Sequence, residues 1–277
     1  MLFALVVFRM NHQIIHSDCR DYLNVNPFCP QWFDLMIADP PFNIGQRYEG
    51  YNDSLVHAEY RVFTYTWVNA YWQRLKPGAA MVLHGSVEAS REILKALWEL
   101  KIDRFIETEL VWAYNFGQCN FNNFIQTHCR AVVVRKEGEP KKWYVENVLT
   151  ESKRLLMGDP RVATSRYKGY VPFGTVWGVD SIDGMVVEPT TGELNWGRVQ
   201  GNNRERRKGH PNQLPERYIE RIIKAYSEER DLIFDGFGGS GTTITVAKYL
   251  NRSCVTTDVS QWNCESIQSR LNEGVKL

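Results

Sequence analysis

The feature that most constrains this chain lies near its carboxyl end, where Asp231-Leu232-Ile233-Phe234 runs into Asp235-Gly236-Phe237-Gly238-Gly239-Ser240-Gly241-Thr242-Thr243. The short apolar run reads as a buried strand. After the glycines, Thr243 to Leu250 carries Ile244, Val246, Ala247 and Leu250 at spacings that form one face of a helix. Glycines let a backbone approach a ligand closely, and a helix amino terminus favours a carboxylate or phosphate. Gly236, Gly238 and Gly241 satisfy G-x-G-x-x-G, while the absence of a following lysine removes the Walker reading. A second strand, Ser253 to Thr257, ends at Asp258, about 20 residues past the turn, where an acid binds ribose hydroxyls in such folds. That arrangement suits NAD and S-adenosylmethionine equally.

A second constraint stands near the amino end. The apolar run Phe33-Asp34-Leu35-Met36-Ile37-Ala38 predicts another buried parallel strand and stops at Asp39-Pro40-Pro41-Phe42. The strand delivers one carboxylate to its carboxyl edge. Two prolines fix φ and remove two N–H donors, so nearby carbonyls lack local partners. Asp39 and the Pro40 carbonyl then form a rigid pair of acceptors. An exocyclic amine on a nucleobase offers two N–H donors, and holding both localises its lone pair as a nucleophile. Phe42 offers a ring for the planar base to stack on. Asp-Pro is also ordinary turn chemistry, so this motif alone leaves a plain strand-to-loop turn open.

Together the two motifs resemble the amino-DNA methyltransferases, in the group where the catalytic D-P-P-[YFW] motif precedes the F-x-G-x-G motif. Ser17-Asp18-Cys19, after a strand Gln13 to His16, is similar to the family's G-D-C start. His210-Pro211-Asn212-Gln213-Leu214-Pro215, leading into a helix Glu216 to Tyr226, is similar to H-P-[TS]-Q-K-P. Two positions depart from the pattern: Gly236 stands where proline is usual, which is expected to loosen the turn, and Leu214 where lysine is usual, which removes a charge. The resemblance implies an α/β, Rossmann-like fold: a mostly parallel seven-stranded sheet with an antiparallel hairpin, helices on both faces and a small target-recognition insertion. It implies S-adenosylmethionine as cofactor and double-stranded DNA as substrate, with methyl transfer to adenine N6, or alternatively cytosine N4. The residues it assigns to catalysis are Asp39, Pro40, Pro41 and Phe42. To the cofactor it assigns Asp18, Asp235, Gly236, Phe237, Gly238, Gly241, Thr242, Thr243 and Asp258, with His210 and Asn212 on the far wall. An NAD-dependent oxidoreductase would use the glycine turn and Asp258 but leaves Asp-Pro-Pro-Phe unexplained. An inactive DNA-binding module is opposed by the intact Asp39.

The remaining segments fit this frame. Tyr60 to Leu75 predicts a helix broken by Lys76-Pro77-Gly78, Ala79 to His84 a strand, and Glu88 to Leu100 a helix. Glu107 to Tyr114 and Arg130 to Arg135 alternate like a hairpin pair. Between them lies Trp112-Ala113-Tyr114-Asn115-Phe116-Gly117-Gln118, where the family places residues around the flipped base. The expected division is a catalytic domain from 10–136 and 210–277, a recognition insertion from 137–209, and an extension at 1–9, with Met10 the natural start.

The net charge is only +1, yet residues 135–210 hold 14 basic against 10 acidic side chains, which puts the positive excess in the middle. Its densest stretch runs from Gly197 to His210, making Arg198, Arg204, Arg206, Arg207 and Lys208 candidates for phosphate contact. The six cysteines (19, 29, 119, 129, 254 and 264) show no metal-ligand spacing, so a reduced cytoplasmic protein without structural zinc is expected. No run is long enough to span a membrane, and the apolar opening lacks a signal peptide's basic flank and cleavage site. A second copy of the chain and a cognate restriction endonuclease are the protein partners that the resemblance leaves open.

Overall fold

In the computed structural model the described residues are 11–24, 33–114, 121, 122, 124, 126–177, 199, 203–210 and 212–276. Strands β1 (His12–His16) and β2 (Phe33–Ala38) flank helix α1 (Cys19–Asn24), and a two-stranded ribbon follows, β3 (Arg47–Tyr48) with β4 (Tyr51–Asn52). Helix α2 (His57–Arg74), β5 (Leu75–Gly85), α3 (Val87–Glu99), β6 (Ile106–Ala113) and β7 (His128–Arg135) come next. The middle of the chain forms β8 (Leu149–Glu151), the single turn α4 (Lys153–Leu156), β9 (Tyr170–Pro172) and β10 (Val176–Trp177). Helix α5 (Glu216–Tyr226), β11 (Leu232–Asp235), α6 (Thr242–Tyr249), β12 (Ser253–Asp258) and α7 (Gln261–Glu273) complete it.

The main sheet runs β1-β12-β11-β2-β5-β7-β6-β10, and only β7 lies antiparallel to its neighbours. Eight described strands stand where seven were expected, because Val176 and Trp177 pair with Val111 and Trp112 and extend the edge. Successive strand residues point to opposite faces. Met36, Ala38, Met81 and Leu83 therefore pack against α1, α2 and α3, while Leu35, Ile37, Ala80 and Val82 pack against α5, α6 and α7. Both faces being covered, β2 is buried along its whole length, as the unbroken apolar run required.

One local expectation changes. Lys76-Pro77-Gly78 does not separate helix from strand: α2 passes straight into β5, and these residues form an irregular step inside it. Phe33 pairs with Leu75 but Leu35 with Ala80, so the chain bulges between. Gly78 sits at φ +75°, where a Cβ would stand 2.2 Å from the Pro140 carbonyl oxygen. The segment that follows residue 137 packs closely on the sheet domain. Lys142 is buried with its ammonium 2.8 Å from Asp231 and 3.1 Å from Asp34, and Val148 and Trp177 belong to the core under α5. Among the middle aromatics, Trp177 is thus a packing residue, and Trp143 leans on Tyr226 at 5.3 Å between rings. Residues 1–9 lie outside the described part, as do most residues between 178 and 202. No helix among the described residues is long and apolar enough to cross a membrane.

Candidate active site

Parallel strands release their last residues at one edge of a sheet, and here four of them release carboxylates side by side. Asp18 follows β1, Asp39 follows β2, Asp235 closes β11 and Asp258 closes β12; all four line one cavity of about 430 Å3. That volume is within the roughly 300–1,000 Å3 typical of small-ligand sites. The motifs from opposite ends of the chain meet because β2 and β11 are neighbours, Asp235 pairing with Ile37 two residues before Asp39.

Asp39 is half-buried, and its carboxyl is pushed up to about 8, first by desolvation and then by the nearby Asp235 carboxylate. Asp235 itself rises to about 6 through burial, despite accepting hydrogen bonds from Thr243 and from the Phe237 N–H at 3.0 Å. The backbone leading into Asp39 is held from both faces of the sheet. The buried Tyr71 hydroxyl donates to the Ile37 carbonyl at 3.1 Å, and His84 Nδ1 donates to the Ala38 carbonyl at 3.0 Å. Burial drops the His84 pKa to about 4, so its ring is neutral and Nε2 accepts from the Tyr218 hydroxyl at 3.0 Å. The Pro41 carbonyl takes a hydrogen bond from Tyr60 at 2.9 Å, whereas among the described residues nothing donates to the Pro40 carbonyl. Phe42 lines the same cavity, its other side against the core.

The glycine turn is closed by its own bonds. Gly238 N–H donates to the Thr257 carbonyl at 2.9 Å, Gly239 N–H to Asp258 at 2.7 Å, and Gly241 N–H to the Gly238 carbonyl at 2.7 Å. Gly241, at φ +75°, caps α6 against Ile267 and does not reach the cavity wall. Gly236 does not loosen the turn. Its N–H donates to Tyr71 at 2.7 Å, and a Cβ there would stand 2.3 Å from the same hydroxyl, so proline would lose the bond and collide. Phe237, Gly238, Thr242 and Thr243 line the cavity as expected. Asp258 also accepts from the Ser260 N–H and from Asn263, so most of its acceptor capacity serves the turn. Asp18 is gripped by Arg20 at 2.7 to 2.9 Å; burial alone would raise its pKa, but these bonds win and hold it low.

His210 and Asn212 stand on the far wall. The His210 ring lies over Trp262, centroids 5.0 Å apart, and burial with Arg270 and Arg207 nearby lowers its pKa to about 4. Gln213 faces the cavity yet binds the Glu205 carbonyl and the Arg207 N–H, fixing the preceding loop. Of the basic candidates, Arg204, Arg206 and Lys208 are exposed, but Arg207 turns inward, 15% exposed and 2.7 Å from Glu273. Arg207 is drawn in by a helix α7 carboxylate that the local charge run did not reveal. Arg198 and Pro211 lie outside the described residues.

Two parts of the wall went unread in the sequence. The β3–β4 ribbon folds over the cavity, bringing Arg47, Tyr48, Glu49 and Tyr51 to it, with Glu49 accepting from the Ser260 hydroxyl. Asp53 holds the ribbon by accepting from the N–H groups of Asn43, Ile44 and Gln46 at 2.8 to 3.1 Å. Trp262 is the other part. The Gly50 turn between two tyrosines was the available signal for the ribbon; Trp262 had none, since its partner His210 is remote in sequence.

A family model described as DNA methylase, the N6/N4 methyltransferase model, matches residues 33–269. The Type II methyltransferase M.HpaI of Haemophilus parainfluenzae is 28% identical over 239 residues, 86% of this chain and 68% of that protein. M.ScaI of Streptomyces caespitosus is 29% identical over 257 residues, 90% of this chain and 77% of that protein. The fold is shared with the M1.HpyAVI–SAM complex (TM-score 0.60, 19% identity, 94% of this chain and 98% of that one). It is shared equally with the cytosine-N4-specific PvuII DNA methyltransferase (TM-score 0.62, 17% identity, 93% and 85%).

Proposed function

The chain belongs to the N6/N4 DNA methylase family, and from that premise we propose that it moves the methyl group of S-adenosylmethionine to N6 of an adenine flipped out of duplex DNA. The observation that carries the cofactor is the sign of the cavity. Asp18, Glu49, Asp235 and Asp258 line it beside Asp39, and among the described residues Arg47 brings the one guanidinium in the wall. A pyrophosphate would be repelled there, and the N–H groups of Gly238, Gly239 and Gly241 that would cradle it are already bonded within the protein. A cationic ligand with an adenosine body fits the same wall. Asp18, Asp235, Gly236, Phe237, Gly238, Thr242, Thr243, Asp258, His210 and Asn212 are the residues that would hold it.

When bound, S-adenosylmethionine supplies a methyl group on a positively charged sulfur. Asp39 accepts one amine hydrogen of the target base and the Pro40 carbonyl the other, which frees the nitrogen lone pair for in-line attack. Phe42 stacks on the base. As the amine nitrogen becomes cationic, Asp39 stabilises it by charge and receives its proton for release to solvent. Adenine is favoured by Asp39 itself, since the resemblance associates serine before Pro-Pro with cytosine; cytosine N4 is the second reading. Residues 149–175 form the recognition element, with Arg204, Arg206 and Lys208 on the phosphates. The Type II relatives make a paired endonuclease part of the same proposal.

The test is incubation with S-adenosylmethionine and unmethylated genomic DNA, then nucleoside digestion and mass spectrometry. N6-methyladenine is expected. N4-methylcytosine overturns the base, and neither product overturns the reaction. Asp39→Ala should abolish the product while S-adenosylhomocysteine still raises the melting temperature.

A further inference from the structure

Between β2 and β11 the sheet reverses its winding: α2, which follows β2, covers one face, and α6, which follows β11, covers the other. A crevice opens beyond the strand ends at such a point, and the two halves of the cavity stand on its two sides. Asp39 and Pro40 come from β2, and the glycine turn comes from β11. The separation of the two sides matters to any group transfer between them, because a misplacement of about 1 Å costs on the order of a hundredfold in rate. The backbone ladder leaves that separation unfinished. Its last pair is Asp235 with Ile37, one residue short of Gly236 and two short of Asp39.

Beyond that pair one side-chain oxygen joins the strands. The Tyr71 hydroxyl, fully buried on α2, accepts the Gly236 N–H at 2.7 Å and donates to the Ile37 carbonyl at 3.1 Å. A phenol can accept and donate at once. The same helix grips each side a second time: Tyr60 donates to the Pro41 carbonyl at 2.9 Å, and Trp67 packs edge-on against Phe237 with rings 5.6 Å apart. Gly236, the departure from the motif, belongs to this device. Proline has no N–H to give the hydroxyl, so the bridge exists only because glycine stands there.

We infer that Tyr71 is a positioning residue for the methyl transfer, its hydroxyl fixing the distance across the crevice between the Asp39 carboxylate and the glycine turn. This rests on the methyl-transfer reading above. Tyr71 does not line the cavity. It acts through the two backbones it joins, so either ligand can bind without it, and what it supplies is their alignment.

Tyr71→Phe removes one oxygen and keeps the ring packed against Trp67 and Phe234, 5.4 Å from each. Variant and wild type are compared at one temperature below both melting points. The measurements are the single-turnover rate of methyl transfer to saturating unmethylated DNA, and the dissociation constants of S-adenosylhomocysteine and of the DNA by calorimetry. The rate should fall about tenfold or more while both dissociation constants stay within about threefold, the pattern of lost alignment rather than of a lost ligand contact. A hydroxyl that serves the fold alone would lower the melting temperature and leave the rate of the folded protein unchanged, which overturns the inference. Weakening of S-adenosylhomocysteine by as large a factor as the rate also overturns it, since the hydroxyl would then shape the cofactor wall. A wild-type protein that methylates no DNA overturns the methyl-transfer reading instead, before any variant is made.

Discussion

Asp39 has a charge problem whose solution is ligand binding. With its carboxyl pushed up to about 8 by desolvation and Asp235, it holds a proton at neutral pH in the free protein. The ionised form that grips an amine appears only as pH rises through that value, so kcat/KM should climb toward pH 8 and level above it. A cationic cofactor lowers the same pKa, so the limb in kcat should lie at lower pH. The effect on stability has the opposite sign. The folded carboxyl binds its proton more tightly than the unfolded one, near 3.8, so the protein loses stability as pH rises from there through about 8. Asp39→Asn removes that loss. The variant should melt higher than wild type at pH 8, match it below pH 4 and show no turnover, all readable by thermal denaturation across pH with a methylation assay. Asp39 and its prolines were legible because the motif is contiguous. Tyr71 and His84, which fix the two carbonyls before it, were not: each is an ordinary aromatic on its own element, and its partner lies more than thirty residues away.

Among the elements, the strand–glycine–helix unit and the β6–β7 hairpin followed from local burial patterns, and helix α5 came with the resemblance around His210 to Pro215. The β3–β4 ribbon did not, because its strands are two residues each and it is fastened by partners elsewhere: Tyr51 packs on Phe63, Glu49 takes the Ser260 hydroxyl, and Asp53 holds the N–H groups before it. Asp53 is 2% exposed and its carboxylate takes three backbone N–H groups. Hydrogen bonds to a charged acceptor contribute roughly 1.5–3 kcal/mol each. Asp53→Ala should therefore release the ribbon that carries Tyr48 and Glu49 while the main sheet stays intact. Cofactor dissociation measured by calorimetry should weaken about tenfold or more, with far-ultraviolet circular dichroism unchanged; unchanged affinity would remove the ribbon from the binding wall. The bulge at Gly78 and the packing of the segment after residue 137 were hidden for a related reason. Both are decided by contacts to Pro140 and Lys142, across the sheet from the residues they reshape.

At the scale of the whole molecule, one buried ion pair ties the cofactor side together. Arg270 and Glu216 are both fully buried at 2.6 Å, and Arg270 also donates to the Ser240 carbonyl and to Thr242, joining α7, α5 and the glycine turn. Its position was not read from the sequence: Ile267, Arg270 and Leu271 fall on one face of α7, but the burial that forces a partner on Arg270 is set by α5 and the glycine turn. Arg270→Met should cost about 3–5 kcal/mol in urea denaturation, since it strands Glu216, and adding Glu216→Leu should recover a large part of it. An additive double variant would mean that the two act independently. The sheet order has a consequence in time. The catalytic strand β2 is flanked by β11, and the bond from the Leu232 N–H to Asp34 spans 198 residues. A chain emerging from the ribosome soon sets β5 beside the strand that carries its Asp-Pro-Pro-Phe motif, yet the other neighbour, β11, and the glycine turn after it come only with residues 232–243. Any shorter product lacks the half of the cavity wall that β11, β12 and the glycine turn supply, so the pocket is closed by the segments made last among those that line it.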